Sequence, residues 1–409
     1  MIRFRTMLLG AFGLSLIVFA LSYFFYRLVF KKNLKNFKIN LVMIIVAIIG
    51  CIFLYDPTNQ FIQLKKGSVN QSNTVIYNNK KIKTVANAKE RLTLPSSYGS
   101  IEATHPSVVS LEQPIDGYKY WMAVTPYPKG KAIYENPHVF KSNDLVSWIP
   151  SKANPLDEPK SEKFNENKTP MQYDSDTHII YNKEDKKMEV FWRYVDDVNK
   201  KAIIYKRTST DGENWTPKEV VFDGKKPGED WISPAFVKDE NGYKVWYVAN
   251  GYRIWYRESK DGKNWNNPVE VKVPYQEDNM HHWHLDVQKT DLGYEMIVVG
   301  FKTKGEYKLS DRHVMNLYYS KSKDNKTWDT LDPIIFPSKK RVGFDGKGLY
   351  RSALLKEDGK YYVFYSGIGF DDTRGVGISS GRDIKHLKGV DLSNYEGKIK
   401  IDKPKKKSR

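Results

Sequence analysis

The chain has 409 residues, 40% of them hydrophobic and 14% aromatic, with one cysteine and a formal net charge of +18 at pH 7. This composition excludes a disordered chain, and the lone Cys51 excludes an intrachain disulfide. The charge is unevenly spread: residues 1–60, 61–100 and 398–409 each hold 7 Lys and Arg against 1 acid, whereas residues 101–397 hold 45 of each sign. A neutral body argues against nucleic acid as a partner, and basic ends suit anionic lipid heads or anionic wall polymers.

Taken in chain order, Met7 to Phe30 and Ile39 to Tyr55 are two nearly unbroken apolar runs. Each is close to the length a helix needs to cross about 30 Å of hydrocarbon. The lysine-rich "KKNLKNFK" between them favours the cytoplasmic side. Residues 1–55 therefore read as a two-helix transmembrane hairpin in contact with membrane lipid, residues 56–100 as a basic linker, and residues 398–409 as a basic tail. Everything after Asp56 is expected outside the cytoplasm of a bacterial cell, where a cysteine-free exported domain is ordinary.

From residue 101 to 397 short β-type runs dominate, and an internal repeat punctuates them. "SNDLVSW", "STDGENW", "SKDGKNW" and "SKDNKTW" share the frame Ser-x-Asp-x-x-x-Trp, with "GRDIKHL" a degenerate fifth copy. Their aspartates, Asp144, Asp211, Asp261, Asp324 and Asp383, lie 67, 50, 63 and 59 residues apart, the length of a four-stranded blade with variable loops. The frame itself is structural: Asp caps turn amides, Ser steadies the turn and Trp packs between strands. Five aromatic runs ("YKYWMAV", "MEVFWRY", "YKVWYVA", "YEMIVVG", "KYYVFYS") each follow a shorter apolar segment ("HPSVVSL", "DTHIIYN", "SPAFVKD", "HLDVQKT", "RSALLKE"). The pattern predicts an all-β, five-bladed β-propeller whose first strands line a central channel.

These turns and channel segments resemble the five-bladed propeller glycosidase superfamily, which includes glycoside hydrolase families 43, 32 and 68. The resemblance implies a polysaccharide or other glycan as partner and two or three catalytic carboxylates. "ATHPSVV" resembles the family-43 opening but has His105 where that family has an aspartate base. "WISPAFV" has Ser233 in place of an aspartate, and the fourth-blade position of the acid glutamate falls in "HHWHLDV".

Aligning the channel strands places His105, Asp176, Ser233, His284 and Arg351 at one level, with Ser107, His178, Ala235, Asp286 and Ala353 two residues further on. So many polar groups in one concavity mark a ligand site. Three chemistries remain open. Asp176, Asp286 and Asp230 could supply acid and base for glycosidic cleavage. His105, His178, His282 and His284, with Asp176 or Asp286, could hold a divalent cation. Arg351 and the histidines could bind an anionic sugar or phosphate. Trp283 and Tyr350 offer faces for sugar rings. The reading is thus a membrane-anchored, extracytoplasmic glycan-processing protein resembling a glycoside hydrolase; the alternative is a non-catalytic glycan-binding or assembly protein of a surface-polysaccharide system.

Overall fold

The computed structural model describes residues 74–77, 80–83, 85–249 and 251–392. The expected hairpin of residues 1–55 and tail of residues 398–409 lie outside these, and among the described residues no helix is long and apolar enough to cross a membrane. A two-stranded ribbon, β1 (Thr74–Tyr77) and β2 (Lys80–Lys83), precedes five antiparallel four-stranded sheets that follow one another in the chain. The first comprises β3 (Ala103–Ile115), β4 (Tyr118–Pro126), β5 (His138–Ser142) and β6 (Ile149–Pro150). The second comprises β7 (Gln172–Asn182), β8 (Lys187–Asp196), β9 (Lys201–Ser209) and β10 (Glu219–Lys225). The third comprises β11 (Ile232–Asp239), β12 (Gly242–Ala249), β13 (Arg253–Ser259) and β14 (Val269–Val271). The fourth comprises β15 (Met280–Thr290), β16 (Gly293–Lys302), β17 (Asn316–Ser322) and β18 (Asp332–Ile335). The fifth comprises β19 (Gly348–Glu357), β20 (Lys360–Ile368), β21 (Arg374–Gly381) and β22 (Lys388–Gly389). The innermost strands β3, β7, β11, β15 and β19 adjoin one another in a closed ring, the five-bladed propeller the repeat predicts.

Each junction between blades has its own apolar filling, which is why the second strands are aromatic. Trp121 meets Ile179 and Trp192 between blades one and two, and Phe191 stacks on Phe236 at 4.0 Å between two and three. Trp246 and Val248 meet Leu285 and Val298 between three and four, Val299 meets Leu354 between four and five, and Phe364 meets Val108 and Met122 across the closing seam. Leu92 and Leu94 enter that seam and Ala86 and Ala88 the filling between blades four and five, although residues 85–94 lie inside the stretch read as a linker. The Leu92 N–H donates to the Val376 carbonyl at 2.7 Å, and Ala86, Ala88, Leu92 and Leu94 are buried.

The Asp frames fold as turns at the end of each third strand. In blade two, Asp211 Oδ1 accepts the N–H groups of Glu213 and Asn214 at 2.8 and 2.7 Å, while Ser209 Oγ accepts that of Gly212 at 2.7 Å. The residue after the Asp is left-handed in four frames, at Leu145, Gly212, Gly262 and Asn325. Gly212 is required twice over, since at φ +76° a Cβ would also sit 2.1 Å from the Trp121 ring of the preceding blade. The fifth copy has Gly381 in place of Ser and buries Leu387 instead of Trp.

Trp148, wholly buried in the seam beside Phe364, is expected to cost about 3–5 kcal/mol when changed to Ala. The half-buried Trp215 of the next frame should cost less; urea unfolding of the two variants checks the order.

Candidate functional site

Every innermost strand carries a register irregularity near its start: between Thr104 and Ser107, Ser175 and His178, Ile232 and Ala235, His282 and His284, and Tyr350 and Ala353. A bulge inserts a residue and re-aims its side chain. His105, Asp176 and Ser233 are accordingly left-handed, with φ of 53°, 54° and 54°. The consequence is visible in blade two, where Ser175 and Asp176 both line the cavity although strand alternation would put them on opposite faces.

The cavity has a volume of about 740 Å³. Its wall includes the expected Asp176, Asp230, Trp283, His284 and Tyr350. Asp176 Oδ1 lies 3.4 Å from Nδ1 of His284, which also lines the cavity, and 3.6 Å from Nε2 of His105, which is buried and does not line it. All three residues are buried, and none of these atoms has a hydrogen-bond partner. One donor atom from each lies within 4.8 Å of the others, a spacing that admits a cation. On its other side His105 Nδ1 lies 2.6 Å from Thr125 Oγ1, whose hydroxyl reaches the Thr104 carbonyl at 3.5 Å. With the hydroxyl donating to that carbonyl, Nδ1 carries the proton and Nε2 presents its lone pair to the triad.

The electrostatics suit ligation. Burial lowers both histidines, His105 well below its ordinary value and His284 to about 4, so both are neutral at pH 7. Burial works to raise the Asp176 carboxyl, but Arg193, whose Nε lies 3.0 Å from Oδ2, and the two histidines hold it well below the usual carboxylate range. Neutral imidazoles beside an ionised carboxylate are the protonation states a divalent cation requires. Burial, reinforced by the Asp176 charge, pushes the neighbouring Glu135 up to about 8; its Oε2 accepts a hydrogen bond from Ser175 Oγ at 3.0 Å and lies 3.6 Å from His105 Nδ1.

The other expected site residues lie elsewhere. Asp286 does not line the cavity; Oδ2 accepts the Leu354 N–H at 2.9 Å, tying blade four to blade five, and burial raises the group to about 6. His178 Nε2 lies 3.1 Å from the Phe236 carbonyl and burial lowers the ring to about 3. Arg351, wholly buried, donates from Nη2 to the Pro234 carbonyl at 3.0 Å and sits 3.2 Å from His178 Nδ1. His282 faces away and stacks on Tyr275 at 4.9 Å. Asp230 is at the rim, 3.8 Å from Lys226. Sequence reasoning missed Glu135, Arg193, Tyr127, Tyr173, Arg312 and Arg374, all on the wall. Arg193 had a signal, a charge within an apolar strand; Glu135 had only the length of the β4–β5 connection.

No protein-family model matches the chain. It is 28% identical over 342 residues to an A type blood N-acetyl-alpha-D-galactosamine deacetylase of Flavonifractor plautii, a match covering 70% of this chain and 43% of that protein. The chain thus spans less than half the length of the curated relative it matches. Among solved structures it resembles an N-acetylgalactosamine deacetylase from F. plautii in complex with blood group B trisaccharide, at TM-score 0.64 and 23% identity over 73% of this chain and 96% of that one. It also resembles a thermostable family-43 glycoside hydrolase, at TM-score 0.50 and 16% identity over 70% and 92% of the two chains. The fold is that of the five-bladed, glycosidase-like propellers.

Proposed function

We propose that the chain is a metal-dependent hydrolase that removes an acyl group from an amino sugar of a surface or exported glycan. His105, Asp176 and His284 would hold the divalent cation. The observation that carries this reading is the convergence of three buried ligand atoms, none with a hydrogen-bond partner, beside the cavity. The name of the F. plautii relative supports deacylation, and so does the presence of His105 and Ser233 where family 43 has carboxylates. The two apolar runs of residues 1–55 support a membrane anchor, with residues 56–100 leading to an extracytoplasmic propeller at 101–397.

A divalent cation at the triad supplies Lewis-acid chemistry to an acyl carbonyl and to water. The remaining work falls to the chain. Arg193 fixes Asp176, Thr125 fixes the His105 tautomer, and Tyr127, Trp283 and Tyr350 present faces to a sugar ring. A water oxygen bonds to the acyl carbon, the C–N bond breaks, the leaving nitrogen takes the proton that burial keeps on Glu135 at neutral pH, and the proton shed by the water returns to the Glu135 carboxylate. A second reading, glycosidic cleavage, is favoured by one observation: Glu135 and Asp176 are driven to opposite ends of the carboxylate range in one cavity.

Incubation with N-acetylated surface polysaccharides, reading acetate and reducing ends together, separates these outcomes. Acetate release that EDTA abolishes, and that Asp176→Asn lowers by at least about a hundredfold, is expected. Reducing ends released in EDTA would establish the glycosidase instead, and saturable binding without either product would leave a glycan-binding module.

A second expectation concerns pH. The folded Glu135 has its pKa raised to about 8, so the native state holds a proton that the unfolded chain has released. Its contribution to stability is full below the ordinary carboxylate range and is lost as pH rises through about 8. In EDTA, thermal midpoints between pH 5 and 9 should fall more steeply for the wild type than for Glu135→Gln.

A further inference from the structure

Most cations of the cavity wall already have an anion. Lys129 pairs with Asp371 at 2.8 Å, Lys226 with Asp197 at 2.6 Å, and Arg193 with Asp176 at 3.0 Å. Arg374 and Arg312 differ: among the described residues neither makes an ion pair, although both line the cavity. Arg374 is 7% exposed, and its Nε and Nη1 are buried without any hydrogen-bond partner. Arg312 is half-buried, stacked over Trp283 at 4.0 Å, with its Nε equally unpartnered.

The carboxylates nearby are committed to other groups. Glu102 Oε2 accepts the backbone N–H groups of Arg374 and Lys129 at 2.8 and 3.1 Å. Asp371 serves Lys129 and Thr373, Asp372 takes Lys347 at 3.1 Å, and Glu135 Oε2 accepts from Ser175 Oγ at 3.0 Å. A buried guanidinium without a counter-ion is costly. Space is nevertheless kept for it: a Cβ on Gly130, itself left-handed at φ +67°, would lie 2.9 Å from Arg374 Nη2. The two cations flank the triad. Arg374 lies over Tyr127 at 5.5 Å, whose ring is 6.4 Å from that of His105, and the Trp283 beneath Arg312 is 5.1 Å from His284.

We propose that Arg374 and Arg312 form a subsite for an oxyanion on the glycan itself, so that the substrate is an acidic polymer rather than a neutral one. A uronic acid carboxylate and a backbone phosphodiester share the required chemistry, a planar or tetrahedral group that a guanidinium fork grips through two parallel N–H bonds. The proposal rests on the reading of the funnel as a glycan site, but its test needs neither turnover nor a cation.

Metal-free protein is titrated calorimetrically, in EDTA, with a galacturonic acid trisaccharide, a glycerol phosphate trimer and a galactose trisaccharide. One acidic probe is expected to bind about tenfold or more tighter than the neutral one, and which of the two does so names the source of the anion. Arg374→Gln and Arg312→Gln should each remove most of that preference while leaving neutral binding within about twofold. Arg374→Lys, which keeps the charge and loses the fork, should fall between. Equal binding of acidic and neutral probes by the wild type would overturn the proposal, even if Arg374→Gln failed to fold, and so would a preference that survives both Gln variants. Failure of acetate release would leave these outcomes readable, since they concern binding alone.

Discussion

The five innermost strands are not joined to one another by backbone ladders, so the ring depends on side chains that reach from one channel strand to the backbone of the next. Ser107 Oγ accepts the Ile179 N–H at 3.0 Å, Ser233 Oγ that of Leu285 at 3.1 Å, and Asp286 Oδ2 that of Leu354 at 2.9 Å. His178 Nε2 reaches the Phe236 carbonyl at 3.1 Å between blades two and three. In a dry channel each such bond satisfies a buried backbone group that would otherwise be costly. These stitches occupy several of the polar channel positions, which is why Asp286 and His178 are held away from the cavity.

Above the stitches the same channel turns from structure to chemistry, and the bulges make the change. By holding His105 and Asp176 in left-handed backbone, they bring together two side chains that plain alternation would send elsewhere. Arg193, on the second strand of blade two, then lets Asp176 stay ionised in a place where burial alone would protonate it. Two neutral histidines complete the group, His105 with its tautomer fixed through Thr125.

The propeller is a frame on which different reactions are hosted, and the residues at the channel openings decide between them. Here a histidine and a serine stand at two carboxylate positions of family 43, and a carboxylate, Asp176, stands between two histidines. Beside them the cavity wall carries the aromatic rings of Tyr127, Trp283 and Tyr350. Arg374 and Arg312 stand on that same wall, and among the described residues neither makes an ion pair.

The repeat of Asp frames and aromatic runs determined the five-bladed architecture by itself, because local turn chemistry and alternating burial are written in consecutive residues. The level of the channel openings was legible too, and with it His105, Asp176 and His284 as neighbours. The division of labour among the polar residues was not. Whether Asp286 meets a substrate or a backbone amide depends on the next blade, 68 residues away in the chain. Glu135 and Arg374 reach the site from connections and third strands whose sequence has no periodic mark, and His282 is turned onto Tyr275 by a one-residue bulge that no pattern announces. Only the closed ring, which brings five distant segments around one floor, could decide which charges are paired and which are left for a ligand.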